Sequence, residues 1–346
     1  MFVDKWYVVT YSNNNTSENK IMMTEQSYSK KSLLFIAFSL LFCFSAFRFN
    51  IGWDYWAYYD TIKYNLFTNI VSSEEYATIS LIELSRFLNM TNLYFVVNSF
   101  ICIFFIYKTI SKYSIDPWLS LLLFLCFPLF FLNSLSIIRF FTALALTFYG
   151  FKFIVQKQLI KYIILVLLAS LFHKSAIIAL AFYFVRYMKL GTVKIAIILV
   201  SLPFIGTFLN SFVLKYLPKY AIYTETSNIQ EGTKAIFFFL IVAFLALLLR
   251  KKITLQDEIA TMYFNLFFIG IAIYLMFYAQ GTMGHRLSLY GTIYVLLVVP
   301  KMFSIFKRGL DRTFLKYLFY LLLIVAFLYT VNVGFTTYIP YRTIFD

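Results

Sequence analysis

The chain has 346 residues, 62% of them hydrophobic and 13% charged, with 30 Lys+Arg against 15 Asp+Glu, a net charge of +15 and a mean hydropathy of +0.80. A soluble domain carries about 25% charged and about 45–50% apolar residues, so an ordinary soluble enzyme is excluded and the composition specifies an all-α polytopic membrane protein. The basic residues are scattered in twos and threes beside apolar runs, which fits membrane topology and not a groove for nucleic acid. Cys43, Cys102 and Cys126 all fall inside apolar runs, which argues against a disulfide framework and against a zinc site.

Residues 1–31 read as a polar cytoplasmic tail. A helix crosses the bilayer core with roughly 20 mostly apolar residues. On that criterion the chain offers about 11 transmembrane helices: Ser32–Phe47, Leu93–Ile110, Pro117–Leu135, Ile137–Val155, Leu159–Phe172, Ser175–Met188, Thr192–Leu214, Ala235–Leu249, Ile259–Ala279, Leu287–Ile305 and Phe314–Phe335. The fifth and sixth are short and could form one hairpin that dips partway, which lowers the count by two. Ala46-Phe47-Arg48 lacks a signal-peptidase pattern, so the first span is expected to be a retained anchor. Residues 32–335 form a single transmembrane helical domain with outer loops at 48–92 and 215–234, and 336–346 form an extracytoplasmic tail. In the first loop Trp53, Trp56, Tyr59/Asp60, Lys63/Tyr64 and Phe67 recur at helical spacing, predicting one or two short interfacial helices.

A cytoplasmic N-terminus puts 20 of the 30 basic residues on the inside, as the positive-inside rule asks, and leaves the C-terminus outside. Ten lie on the disfavoured side: Arg48, Lys63, Arg86, Arg139, Lys174, Lys215, Lys219, Lys234, Arg286 and Arg342. Arg48, Arg139, Lys174 and Arg286 sit at outer span ends or in very short connections, with His173 and His285 beside two of them. Converging there, they would make a cationic pocket for an anionic lipid headgroup, and a diphosphate suits arginine's planar fork. The alternative is that each arginine snorkels singly to a headgroup.

Asp54 follows Gly52, which permits a turn or a close backbone approach. Its carboxylate could orient an arginine, take a proton from a hydroxyl, or cap a helix. Trp53, Tyr55, Trp56, Tyr58 and Tyr59 suit stacking on sugars as well as an interfacial aromatic belt. His173 is a candidate general base, its protonated form disfavoured by Lys174, or a structural histidine. Glu74, Glu75 and Glu83 are weaker acidic candidates. There is no phosphate-binding Gly-rich loop ending in Lys-Ser/Thr, no His-Glu-x-x-His and no Asp-x-Asp, so no cofactor is expected and group transfer would proceed without a metal.

Arg48-Phe-Asn-Ile-Gly-Trp-Asp-Tyr-Trp-Ala-Tyr-Tyr resembles the R-x-x-x-G-x-D-Y-x-x-Y segment of EpsG-like, Wzy-type polysaccharide (O-antigen) polymerases. Ser136-Ile-Ile-Arg139-Phe-Phe-Thr-Ala, Leu171-Phe-His173-Lys-Ser-Ala, Gly284-His-Arg286 and Tyr338-Ile-Pro-Tyr-Arg342 extend the likeness over nearly the whole chain. Members usually begin with a further hydrophobic span, where this chain has its polar tail. The resemblance implies a glycosyltransferase at the outer face of the bacterial inner membrane that joins undecaprenyl-diphosphate-linked repeats into O-antigen or capsular polysaccharide. It implies Arg139 and Arg286 on the diphosphate, assisted by Arg48 or Lys174, and His173 or Asp54 as base. Trp53, Tyr55, Trp56 and Tyr59 are the sugar-stacking candidates; His285, Glu83 and Arg342 are secondary ones. The implied partners are lipid-linked donor and acceptor glycans, the bilayer and a chain-length regulator membrane protein. The competing functions are an O-antigen ligase and a lipid-linked oligosaccharide flippase or transporter. Gly/Pro breaks and mid-depth charges would mark a transporter, whereas here the charges gather at helix ends.

Overall fold

The computed structural model describes residues 17–65, 71, 73–188, 191–216, 233–254, 257–278, 281–306 and 309–346. Phe67, Lys219 and nearly all of the expected outer loop 215–234 lie outside the described residues, as does the first half of the expected tail. The order is α1 (Ser17–Ala46), β1 (Arg48–Phe49), α2 (Tyr55–Tyr64), α3 (Tyr76–Phe87), α4 (Thr91–Tyr113), α5 (Pro117–Cys126), α6 (Phe131–Ser136), α7 (Ile138–Val155) and α8 (Leu159–Phe172). A 3-10 helix follows at Lys174–Tyr187, then α9 (Thr192–Tyr216), α10 (Thr233–Thr254), α11 (Glu258–Met276), α12 (Gly281–Thr292), α13 (Val295–Phe303), α14 (Leu310–Val333), α15 (Phe335–Tyr338) and β2 (Arg342–Thr343).

Each of the eleven predicted apolar segments is helical, and the first outer loop carries two short helices, α2 and α3. Full spans are fewer. Among the described residues four helices are long and apolar enough to cross a membrane, α4, α7, α11 and α14, or five if the bent pair α12–α13 counts as one. The count of about eleven is not confirmed, and local chemistry explains part of the shortfall. Pro128 cannot donate a backbone hydrogen bond and forces the residue before it out of helical geometry. Phe127 is accordingly extended, ψ 128°, and the predicted span Pro117–Leu135 divides into α5 and α6. The second break bends α12 against α13 by 47°. Within α13, Pro300 leaves the Leu296 carbonyl without its helical donor, and the Ser120 hydroxyl of α5 donates to it at 2.6 Å. A neighbouring helix thus supplies what the proline removes, as a membrane interior requires.

Helix α7 is central. It is buried over most of its surface and packs against α4 and α8, while α4 packs on α1. Polar ties cross these interfaces: the Thr142 hydroxyl donates to Asn98 Oδ1 at 2.7 Å, and Ser45 shares a 2.8 Å hydrogen bond with Ser99. Helices α11 and α12 cross glycine on glycine, since a Cβ built on Gly291 would lie 2.5 Å from the Gly270 Cα. Such small-residue contacts let membrane helices approach closely. At the periphery, α14 buries only Leu323.

The connections sort to two ends. At one end the antiparallel pair β1–β2 sets Arg48 opposite Thr343 and Phe49 opposite Arg342, which joins the chain after α1 to the C-terminal segment. At the other end Lys316 pairs with Asp116, Lys301 pairs with Asp257 at 2.6 Å, and Lys31, Lys108, Lys112 and Lys152 surround one groove. Lysines from α1, α4, α7, α13 and α14 therefore gather at this second end.

Candidate functional site at one end of the helical bundle

The site begins at the first turn of α3. Glu75 precedes this helix without capping it by its side chain, and that side chain is 1% exposed. A carboxylate so buried requires countercharge and donors. Arg139, in the first turn of α7, pairs with its Oε2. On Oε1 it accepts from His173 Nδ1 at 2.8 Å and from the Lys174 backbone N–H at 3.2 Å. Three residues on, the Thr78 hydroxyl donates to the Phe172 carbonyl at 2.9 Å. One helical turn therefore grips the junction between α8 and the 3-10 helix on both sides of His173.

A carboxylate only accepts, so a hydrogen sits on His173 Nδ1, and the tautomer this fixes carries its lone pair on Nε2. Burial pushes the Glu75 carboxyl up, but the His173 hydrogen bond and the Arg139 charge outweigh it, and the net shift is downward. Glu75 is thus held as a carboxylate. Phe140 meets the imidazole edge-on, with ring centroids 5.6 Å apart. The Arg139 guanidinium also lies 5.9 Å from the Tyr58 ring of α2.

Beside this cluster opens a cavity of about 730 Å³, lined in part by Ser170, His173, Lys174, Ser175, Met283 and Arg286. His173 and Lys174, at the junction of α8 with the 3-10 helix, and Arg286 of α12, more than a hundred residues further along the chain, meet here. Lys174 lies 3.9 Å from Glu74, both well exposed. Asp54 is within electrostatic reach of Arg286 and Arg139; burial raises its carboxyl while these two arginines pull it down, and burial prevails. Asp54 makes no side-chain capping bond to α2.

Other expected residues are placed differently. Arg48 does not join the cavity. It is 1% exposed, and its guanidinium donates to the carbonyls of Ser45, Ile51 (3.3 Å) and Leu135 (3.4 Å) over the Phe95 ring. Burial pulls its pKa down to about 10, still charged at neutral pH. The same Leu135 carbonyl faces Gly52, whose φ is +98° and whose hypothetical Cβ would lie 2.1 Å from that oxygen. Arg48 and Gly52 therefore lock the crossing of the first loop over the α6–α7 junction, and the Arg48 side chain does not line the cavity.

Tyr55 offers no ring face to a sugar. It is fully buried, stacked on Phe95 at 4.6 Å and on Tyr59 at 5.9 Å. Trp53 and Trp56 are exposed at the same end, while Tyr59 accepts a 3.1 Å hydrogen bond from Lys63. Glu83 is engaged by Arg86 at 2.8 and 2.9 Å. Arg342 is an exposed residue of β2. His285 sits next to Arg286 on α12, and its buried Nε2 has no hydrogen-bond partner among the described residues.

The arrangement can polarise a hydroxyl through His173, hold the resulting imidazolium against Glu75, and meet a polyanion with Arg286 and Lys174. No curated protein and no solved structure matches the chain. A family model does, over residues 31–343, so the match runs from the start of the apolar part of α1 to the β2 strand that closes on it. With nearly its whole length covered, the chain belongs to the EpsG family.

Proposed function

We propose that the protein is a polysaccharide polymerase that transfers a glycan from a polyprenyl-diphosphate carrier to a hydroxyl of a second lipid-linked repeat. EpsG family membership fits a polysaccharide polymerase, and the nearly all-helical, apolar architecture fits a membrane protein. The observation that carries the reading is the meeting of His173, Lys174 and Arg286 around one cavity, with Glu75 fixing the imidazole. His173 Nε2 takes the acceptor proton as the acceptor oxygen bonds to the donor's anomeric carbon. The bond from that carbon to the diphosphate oxygen breaks, and the diphosphate departs with the electron pair. Its charge is met by Arg286 and Lys174, as electrostatic catalysis of phosphate departure requires.

Arg139 takes a different part from the one expected for it: paired with Glu75, it holds the base's carboxylate in place. Trp53 and Trp56 are the aromatic faces open to sugars. The end bearing the cavity is outward, at the outer face of a bacterial inner membrane, and the lysine-rich end is cytoplasmic, following the positive-inside rule. Undecaprenyl diphosphate is the implied carrier, and O-antigen or capsule the implied product.

Deleting the gene in its native host is expected to replace a ladder of surface glycan with a single repeat. Loss of all surface glycan would point instead to a flippase or ligase. The bent pair α12–α13 is the feature that a flippase reading would use. An unchanged ladder removes all three.

A further inference from the structure

The end opposite His173 has a groove of its own, which the transfer chemistry does not use. Its volume is about 530 Å³, and it is lined by Lys31 and Leu34 of α1, Tyr107, Lys108, Ser111 and Lys112 of α4, Pro117 and Trp118 of α5, and Tyr149 and Lys152 of α7. Four ammonium groups from three packed helices face one space. Among the described residues no carboxylate pairs with any of the four, whereas Lys301 and Lys316 near the same end each have an aspartate.

The lysines rest on aromatic rings. Lys108 lies 5.2 Å from the Phe104 centroid, Lys112 5.6 Å from Tyr113, and Lys152 5.4 Å from Tyr149, to whose hydroxyl it donates at 3.1 Å. The lining also carries apolar side chains, Leu34 buried and Trp118 exposed. Ammonium groups without a carboxylate partner among the described residues, set with apolar side chains in one groove, match an amphiphilic anion, with phosphate among the lysines and hydrocarbon against Trp118 and Tyr107. Lysine-lined pockets between membrane helices suit such headgroups.

We propose that the groove formed by Lys31, Lys108, Lys112 and Lys152 is a binding site for the phosphate headgroup of an anionic phospholipid, separate from the glycan-transfer cavity. The phosphate chemistry would also admit free phosphate, and the test separates the two sources.

The full-length protein, in detergent, is titrated with diphosphatidylglycerol, with phosphatidylcholine and with inorganic phosphate, and retained ligand is counted by native mass spectrometry. The wild type is expected to hold diphosphatidylglycerol in preference to phosphatidylcholine and not to exchange it for millimolar phosphate. K108Q/K112Q/K152Q is expected to lose about a hundred-fold in affinity, a factor of about five per lysine. K251Q/K252Q, which neutralises two exposed lysines of α10 that do not line the groove, is expected to bind as the wild type does. Equal retention of both lipids, displacement by phosphate, or equal losses in both variants would overturn the proposal. R286Q is expected to retain the lipid fully, so the result stands or falls independently of the transfer site.

Discussion

Glu75→Gln separates the two things that this carboxylate does. The substitution keeps the side chain's shape and removes its charge, leaving Arg139 without its counter-ion and the His173 Nδ1–H with at best a neutral acceptor. Both partners are largely buried, 14% and 19% exposed. Removing one member of a buried ion pair costs about 3–5 kcal/mol. Glutamine still offers one carbonyl oxygen, so a loss of about 3 kcal/mol is expected, read from guanidinium unfolding in detergent. On activity, an imidazole no longer fixed in one tautomer should forfeit most of the general-base contribution, about a hundred-fold or more, measured as polymer formed from lipid-linked repeats in proteoliposomes per folded molecule. E75Q/R139Q should be more stable than the two single losses summed, by up to about 3 kcal/mol, because the stranded charge is gone.

The same carboxylate gives a pH signature. Its folded pKa lies below the ordinary carboxyl value of 4.5, so its stabilisation is complete above about pH 4.5 and is lost as pH falls through the lower folded value. E75Q should flatten that acid limb. Wild-type turnover by a well-folded E75Q protein would refute the assignment of Glu75 to His173.

Further substitutions test the remaining placements. R286A is expected to abolish polymer while the protein stays inserted, and R286K to restore little, because an ammonium lacks the bidentate grip; full rescue by lysine would leave only a point charge. R48Q should lower stability by about 3 kcal/mol through its stranded carbonyls yet preserve the activity of the molecules that fold; selective loss of substrate affinity would return Arg48 to the site. G52A forces a Cβ onto the Leu135 oxygen at positive φ and should cost at least about 2 kcal/mol, seen as reduced yield of folded protein. Asp54 has a raised carboxyl, so its burial penalty is absent below about pH 4 and develops as pH rises through the folded pKa. D54N should therefore be at least as stable as the wild type at pH 7, with the difference vanishing in acid; a less stable D54N would show that its charge is satisfied by the arginines.

The apolar segments were legible because each is a run of side chains that water rejects, and the α8 boundaries coincide with the expected ones. What a hydropathy reading cannot see is a break inside such a run, as at Pro128, where the backbone geometry changes while the side chains stay apolar. The site was legible in part. His173 and Arg286 stand out as polar residues at apolar ends, and they do meet. Glu75 ranked only among the weaker acidic candidates, since one of two adjacent glutamates in a polar loop carries no local sign that it will be buried against an arginine 64 residues away. Arg48 misled for the converse reason: sequence gives a charge its position along the chain but not the carbonyls that will surround it.

The 3-10 helix after His173 buries Ala176, Ala179, Phe182 and Val185, a straight stripe of period three, because such a helix has three residues per turn. Its rise of about 2.0 Å per residue carries fourteen residues through about 28 Å, nearly the roughly 30 Å thickness of a hydrocarbon core. The preceding α8, also fourteen residues, reaches only about 21 Å at 1.5 Å per residue. Stretching the winding thus gives the descending leg of this pair about 7 Å of extra reach from the same number of residues. A segment too short to traverse oil as an α-helix becomes nearly long enough when wound this way.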